Sequence, residues 1–210
     1  MKRLLFLFGV LLTPLFSVDN HFIGMIASSG QLEGDSENVL ADETFSTFGI
    51  KSGILNEDLI AYIDIQHFTF DKNEVSVGQN QTPTKFNEDT LSLAIGPVFK
   101  MEKFYDTLFY VNGVGTIDKF HYGKEIVANH YTEYLSQYQF FFGYEFGLIF
   151  PARLNPLHDT DDSFFEIGYR KIYRNDSTMD DTNSESGFSE EEVIPFQSIS
   201  SYYFGLNILF

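Results

Sequence analysis

The chain has 210 residues, long enough for one domain with its own core, and it contains no cysteine, which rules out a disulfide framework, a thiol lipid anchor and a cysteine-based metal site. Its 30 acidic against 13 basic residues give a formal charge of −17, so nonspecific phosphate neutralisation, and with it a nucleic-acid partner, is not expected. Disorder often accompanies such acidity, but 24 Phe and 12 Tyr argue for a folded, β-rich chain.

In chain order, Met1-Lys2-Arg3 is a short basic start, Leu4 to Leu12 is an apolar run, Pro14 breaks it and Ser17 offers a small residue for cleavage. This is the anatomy of a secretory signal peptide, and the run is too short to span a bilayer as a helix. Residues 1–17 are therefore expected to be removed, leaving 18–210 as a single domain. Cleavage takes Lys2 and Arg3 and no acid, which moves the formal charge from −17 to −19. No later stretch approaches a spanning helix, so any membrane insertion after cleavage must use strands.

Eight segments then alternate at period two. The first is near His21–Ser28. The second, Phe45–Ile54, sets Phe48 and Ile50 against Gly49, Lys51 and Gly53, and the third, Leu59–Phe70, sets Leu59, Ala61, Ile63 and Ile65 against Tyr62, Asp64 and Gln66. The fourth is Thr90–Lys100. The fifth, Thr107–Asp118, opposes Phe109, Val111 and Ile117 to Tyr110, Asn112, Thr116 and Asp118. The sixth and longest, Tyr131–Phe150, carries Tyr138, Phe140, Phe142, Tyr144, Phe146, Leu148 and Phe150 on one face and Glu145 with small or amide residues on the other. The seventh, Ser163–Arg174, puts Phe165, Ile167 and Tyr169 opposite Glu166, Gly168 and Arg170, and the eighth is Phe196–Phe210. Long and short connections alternate between these segments, except that Pro151–Asp162 is long where a short turn fits. Acidic residues gather in the connections, most densely in Asn175–Glu192, which has no Lys or Arg.

At the C-terminus, Tyr202, Phe204, Leu206, Ile208 and Phe210 share one face, and Tyr203, Gly205, Asn207 and Leu209 the other. Segments of about 9–11 residues, apolar outside and polar inside, are what a transmembrane barrel requires. The arrangement of Tyr203, Gly205, Ile208 and Phe210 resembles the C-terminal signal strand of bacterial outer-membrane barrels, and the whole domain resembles the small OmpA/OmpX-like type. The resemblance implies that the barrel-assembly machinery reads those four residues. The expected fold is all-β: a closed antiparallel up-and-down transmembrane barrel of eight strands. Ten strands is the alternative, with extra pairing inside Lys119–His130 or Asn175–Pro195. A soluble lipocalin-like barrel shares the periodicity, but its water-facing side would carry many Lys and Glu. Here the polar face carries Gly, Ser, Gln, Asn and Tyr, which suits a crowded lumen.

Isolated charges on the inward face are the candidate site. Glu145, Glu166 and Arg170 would point inward at similar height, with Arg170 bridging the two carboxylates, since a buried charge needs a partner. Asp64, Asn112, Tyr203 and Asn207 complete the expected interior network. Such a cluster plugs the lumen or, alternatively, gates it. Among the histidines, His67 has Thr69 and Asp71 nearby, and His121 and His130 fall in a long connection, but none sits in a recognisable nucleophile motif. Acidic clusters (Glu33, Asp35, Glu37; Asp159, Asp161, Asp162; Asp180, Asp181, Glu185) lack the calcium-loop pattern, so no metal or cofactor is expected.

The sequence thus points to an exported outer-membrane protein of a Gram-negative bacterium with a structural, adhesive or surface-interaction role, and not to an enzyme. Its expected partners are outer-membrane lipid and lipopolysaccharide, the assembly machinery, and an external ligand met through acidic loops, where divalent cations would bridge anionic lipid. A small-solute channel and a lipid A-modifying barrel enzyme are the alternatives.

Overall fold

A computed structural model of the chain describes residues 21–33, 44–70, 84–101, 106–127, 130–135, 138–152, 162–174, 177–178, 193–194 and 198–210. The proposed signal segment 1–17 lies outside them. Eight strands form the wall: β1 (His21–Glu33), β2 (Thr44–Leu55), β3 (Leu59–Phe70), β4 (Thr84–Lys100), β5 (Leu108–Val127), β7 (Gln139–Ala152), β8 (Ser163–Tyr173) and β11 (Ser198–Leu209). Each pairs antiparallel with the next around the ring, and β1 closes on β11 from Phe22↔Leu209 to Glu33↔Ser198. The fold is a closed eight-stranded, all-β, up-and-down barrel.

Extra pairing occurs in both regions where ten strands were considered, yet none of it enters the ring. β6 (His130–Leu135) pairs only with the far end of β5, above the point where β7 takes over that edge. β9 (Ser177–Thr178) and β10 (Val193–Ile194) pair only with each other. The single segment Tyr131–Phe150 read from the sequence is therefore two strands, β6 and β7. β1, β4 and β5 also run further than expected, to Glu33, from Thr84 and to Val127.

The stagger of the wall follows from its register. Starting at Phe22, cross-strand partners run through Gly53, Tyr62, Ala94, Val114, Gly143, Ile172 and Ile199 and return to β1 at Leu32. One circuit thus climbs ten residues (32 − 22). With a rise of about 3.3 Å per residue and about 4.8 Å between strands, the strands tilt by about 40° and the wall has a radius of about 8 Å. A barrel this narrow is filled by its own side chains.

Tight turns close one end. In the β2–β3 turn the Asn56 side-chain oxygen accepts hydrogen bonds from the backbone N–H of Asp58 (3.0 Å) and Leu59 (2.7 Å), an Asx turn that specifies the reversal. Between β4 and β5, Asp106 adopts φ 59°, a left-handed conformation that aspartate tolerates better than most residues, and Met101 donates to the Thr107 carbonyl at 2.9 Å. His21 and Phe210 meet at this turn end, with the Phe210 N–H on the His21 carbonyl at 2.9 Å. The β7–β8 connection, residues 153–162, is at this same end and is longer, as the sequence indicates, while the β1–β2, β3–β4, β5–β7 and β8–β11 connections leave from the opposite, loop end.

The faces follow the alternation read from the sequence. Ile23, Met25, Phe48, Ile50, Ile65, Leu93, Ile95, Phe142, Ile167, Phe204 and Ile208 point outward and are 46–73% exposed. Inward positions are buried, among them Phe22, Ile26, Ile60, Tyr62, Tyr110, Ile149 and Phe164. Outward charges flank this apolar band: Glu33, His67 and Asp89 toward the loop end, Lys100 and Asp106 at the turn end. Lys171 borders the band, and its ammonium turns toward the loop end, onto Glu33 at 2.7 Å, the behaviour of a lysine keeping its charge clear of an apolar surface. Outward tyrosines gather on one side of the wall, where Tyr169 packs against Tyr144, Phe146 and Tyr202.

Candidate functional site

Strand β8 organises the lumen. Glu166 and Arg170 on its inward side, and Arg174 just past its end, recur every four residues, about 13 Å apart, and each anchors one tier of charge.

The middle tier holds Arg170, which spans the lumen. It donates to Glu145 Oε2 (2.9 Å), to Asp64 Oδ2 (2.8 Å) on the far wall, to the Tyr62 hydroxyl (3.0 Å) and to Ser92 Oγ (3.3 Å). Glu145 stands directly opposite Arg170 in the β7–β8 register and also accepts from Tyr62 Oη and from Asn112 Nδ2 (2.7 Å). Asp64 accepts from Gln66 Nε2 at 2.8 Å, and Gln66 in turn accepts from the Thr47 hydroxyl at 2.6 Å.

Glu166 is not at the height of this tier. It faces Ile149 and Gly205 in the register, four residues nearer the turn end than Arg170. Its partner is Lys51, across the lumen on β2, so the expected bridge from Arg170 to Glu166 is replaced by Arg170 with Glu145 and Asp64. The physical reason is reach: a residue four places along the same strand lies beyond a guanidinium already committed to the opposite wall. Lys51 stands beside Asp64 in the β2–β3 register, yet its ammonium lies 4.0 Å from the centre of the Tyr62 ring and turns down to Glu166. Tyr110 Oη (3.2 Å) and Asn207 Nδ2 (3.1 Å) also donate to Glu166, and Tyr110 shares a hydrogen bond with Tyr203. Two small residues make room here. A Cβ on Gly205 would overlap the Glu166 side chain, and one on Gly168 would overlap the Tyr203 ring.

The third tier, toward the loop end, sets Arg174 against Glu88 on β4 and Asp118 on β5, the latter at 2.8 Å. Thr90 Oγ1 donates to Glu88 at 3.1 Å. All these ionisable groups are at most 6% exposed.

Every interior residue expected from the sequence (Asp64, Asn112, Glu145, Glu166, Arg170, Tyr203, Asn207) is thus inward and hydrogen-bonded, but in two tiers. Lys51, Tyr62 and Tyr110 join them, and the Arg174 tier is additional. The inward parity of Lys51, Tyr62 and Arg174 was readable; their cross-lumen partners were not. Glu88 preceded the expected start of its strand, which hid its face.

The four C-terminal positions read from the sequence as an assembly signal divide between the faces. Tyr203 and Gly205 are inward, whereas Ile208 and Phe210 are 51% and 71% exposed, Phe210 stacking on His21 with ring centres 6.1 Å apart. His67 Nδ1 lies 2.8 Å from Asp89 Oδ1 on the outer wall, a cross-strand pair more than half exposed. Among the described residues no hydroxyl is hydrogen-bonded to this imidazole. His121 and His130 lie on β5 and β6, and their side chains are outside the described set. Of the acidic clusters, Glu33 is on the outer wall against Lys171 and the Asp162 carbonyl accepts from the Leu209 N–H, whereas Asp35, Glu37, Asp159, Asp161, Asp180, Asp181 and Glu185 lie outside the described residues.

No family model and no curated protein matches the chain. Among solved structures it is similar to neisserial surface protein A (NspA), at TM-score 0.60 and 13% identity over 90% of this chain and 97% of that one. It is also similar to Ail, the attachment invasion locus protein of Yersinia pestis, at TM-score 0.47 and 13% identity over 92% of this chain and 100% of that one. The chain has the fold of the small OmpA/OmpX-type eight-stranded β-barrels.

Proposed function

We propose that this protein is exported by a cleaved signal peptide and resides in the outer membrane of a Gram-negative bacterium. There it acts as a non-conducting barrel whose acidic loops meet external ligands or neighbouring surfaces. The observation that carries the reading is the inversion of its faces: an apolar outer wall around a lumen of buried ion pairs. On β4 the uncharged outward run Leu91–Phe99 covers about 20 Å along the axis at a tilt of about 40°, near the roughly 25 Å band of such barrels. A soluble barrel would have to leave that band in water, far beyond the few hundred Å² of apolar patch that soluble proteins tolerate.

Three tiers of cross-lumen ion pairs support the non-conducting part. Arg170 and Lys51 each reach the opposite wall, and the cavity between the Arg170 and Arg174 tiers is about 20 Å³. Outer-membrane lipid and lipopolysaccharide are the proposed surroundings, with the assembly machinery reading Tyr203, Gly205, Ile208 and Phe210. Single-channel recording in planar bilayers tests the plug. Wild type is expected to show no discrete conductance, and steady open-channel currents would favour the small-solute channel.

A further inference from the structure

The two tiers that set one guanidinium against two acids are built differently. In the middle tier Asp64 and Glu145 approach Arg170 from different walls and have donors of their own: Gln66 for Asp64, and Tyr62 and Asn112 for Glu145. At the loop end Glu88 and Asp118 stand on neighbouring strands, β4 and β5, and both take the same nitrogen, Arg174 Nη2, with Asp118 Oδ2 at 2.8 Å. Arg174 Nη1 also donates to Glu88 Oε2 at 3.2 Å. Thr90 serves both acids and Thr116 serves Asp118. The two carboxyl groups are also hydrogen-bonded to each other.

That last contact decides the chemistry. An ionised carboxylate only accepts, so a hydrogen bond between two carboxyls requires a proton on one of them. Burial asks for the same proton. Both side chains are wholly enclosed, and two like charges at one site do not ionise together where a free carboxyl would. With one proton, the tier holds one cation and one anion.

The other charged groups around the pair are engaged elsewhere. One tier down, Arg170 holds Asp64 and Glu145. On the outward side of the same wall, Asp89 meets His67 of β3 at 2.8 Å, and Lys119 lies over the Tyr138 ring. From the lumen side β3 presents Gln66 and Phe68, and β7 presents Gln139 and Phe141, none of them charged. Asp89 and Lys119 face each other in the β4–β5 register, clear of the apolar band, so the pair sits at the loop-end mouth of the lumen.

We infer that Glu88 and Asp118 hold one proton between them at neutral pH, which makes the Arg174 tier a proton-operated clasp across β4, β5 and the end of β8. While the proton is bound the tier is neutral and fastens these strands at the mouth. When it leaves, a surplus negative charge is buried there and the fastening weakens, while the two lower tiers keep theirs. The proton belongs to the pair and not to either residue. The clasp does not depend on whether the barrel conducts, so its failure and that of the plug are read in different experiments.

The test is infrared difference spectroscopy, with thermal unfolding, of the refolded full barrel in detergent. In the unfolded chain both acids ionise near pH 4, roughly. From there up to the pair's own titration the folded state holds one more proton, so the folding equilibrium should fall by up to about tenfold per pH unit of rise. The carbonyl stretch of a protonated carboxyl is expected in the wild type at neutral pH and should bleach as the pH is raised. Glu88→Gln or Asp118→Asn alone should abolish it, because the acid that remains has Arg174 to itself and ionises. Either variant should also lose this part of the wild type's decline in stability with rising pH. A wild type without the band at neutral pH would overturn the inference, and that reading needs no variant to assemble. A band that survives either substitution would place the proton on one buried acid alone or elsewhere, and would overturn it too. So would a decline in stability that both variants share with the wild type.

Discussion

Replacing Arg170 with leucine removes a side chain that ties β8 to both β7 and β3 through the lumen. Glu145 would keep two donors, the Tyr62 hydroxyl and Asn112 Nδ2 at 2.7 Å. Asp64 would keep only Gln66 Nε2 at 2.8 Å. Breaking a buried pair costs about 3–5 kcal/mol, because a charge is left uncompensated. Here one acid is left poorly served and the other partly served, which puts the loss near the middle of that range, about 4 kcal/mol. At roughly 2–4 °C per kcal/mol for a chain of this size, the unfolding temperature should fall by on the order of 10 °C. The assay is heat-modifiable migration, in which the folded barrel runs ahead of its boiled form, scanned against temperature. Adding Asp64→Asn to the variant should return about half of the loss, since it removes the worse-served charge. An unfolding temperature within a degree or two of wild type for Arg170→Leu would refute the reasoning.

Lys51→Met should strand Glu166 at a cost of about 3 kcal/mol, and Lys51→Met with Glu166→Gln should be closer to wild type than Lys51→Met alone, as a double-mutant thermal scan would show. The glycines separate by face. Gly168→Val should block assembly because Tyr203 fills the space, whereas outward Gly113→Ala, where a Cβ meets nothing within 4 Å, should be silent in a folding-yield assay. On the outer wall, Ile95→Lys in the middle of the band should cost about 2–4 kcal/mol in refolding titrations into lipid vesicles, and Asp89→Lys at its edge no more than about 1 kcal/mol.

The faces of the wall were legible because alternation is local: whether Lys51 or Ile50 points inward is decided by one strand and its pleat. The extensions of β4 and β5 were not. At Glu88 and Asp89, and again around Lys119, the outward positions stand clear of the apolar band, so pairing continues without the hydrophobic alternation that announces a strand. The partner of Glu166 was hidden for another reason. Which residues meet across the lumen depends on the ten-residue stagger of the closed ring, a property of the whole circuit that no single segment contains. Lys51 shows the point: Asp64 is its neighbour in the register, and Glu166, far along the chain, is its ion-pair partner.

The most direct test of the inverted barrel is where the full-length protein goes and how it behaves there. Membranes of the expressing Gram-negative cell, separated by density and washed with alkaline carbonate, should retain the protein in the outer-membrane fraction. Unboiled, it should migrate faster on a gel than the boiled sample. Release by carbonate, recovery from the soluble periplasm, or identical migration with and without boiling would contradict a membrane-spanning barrel.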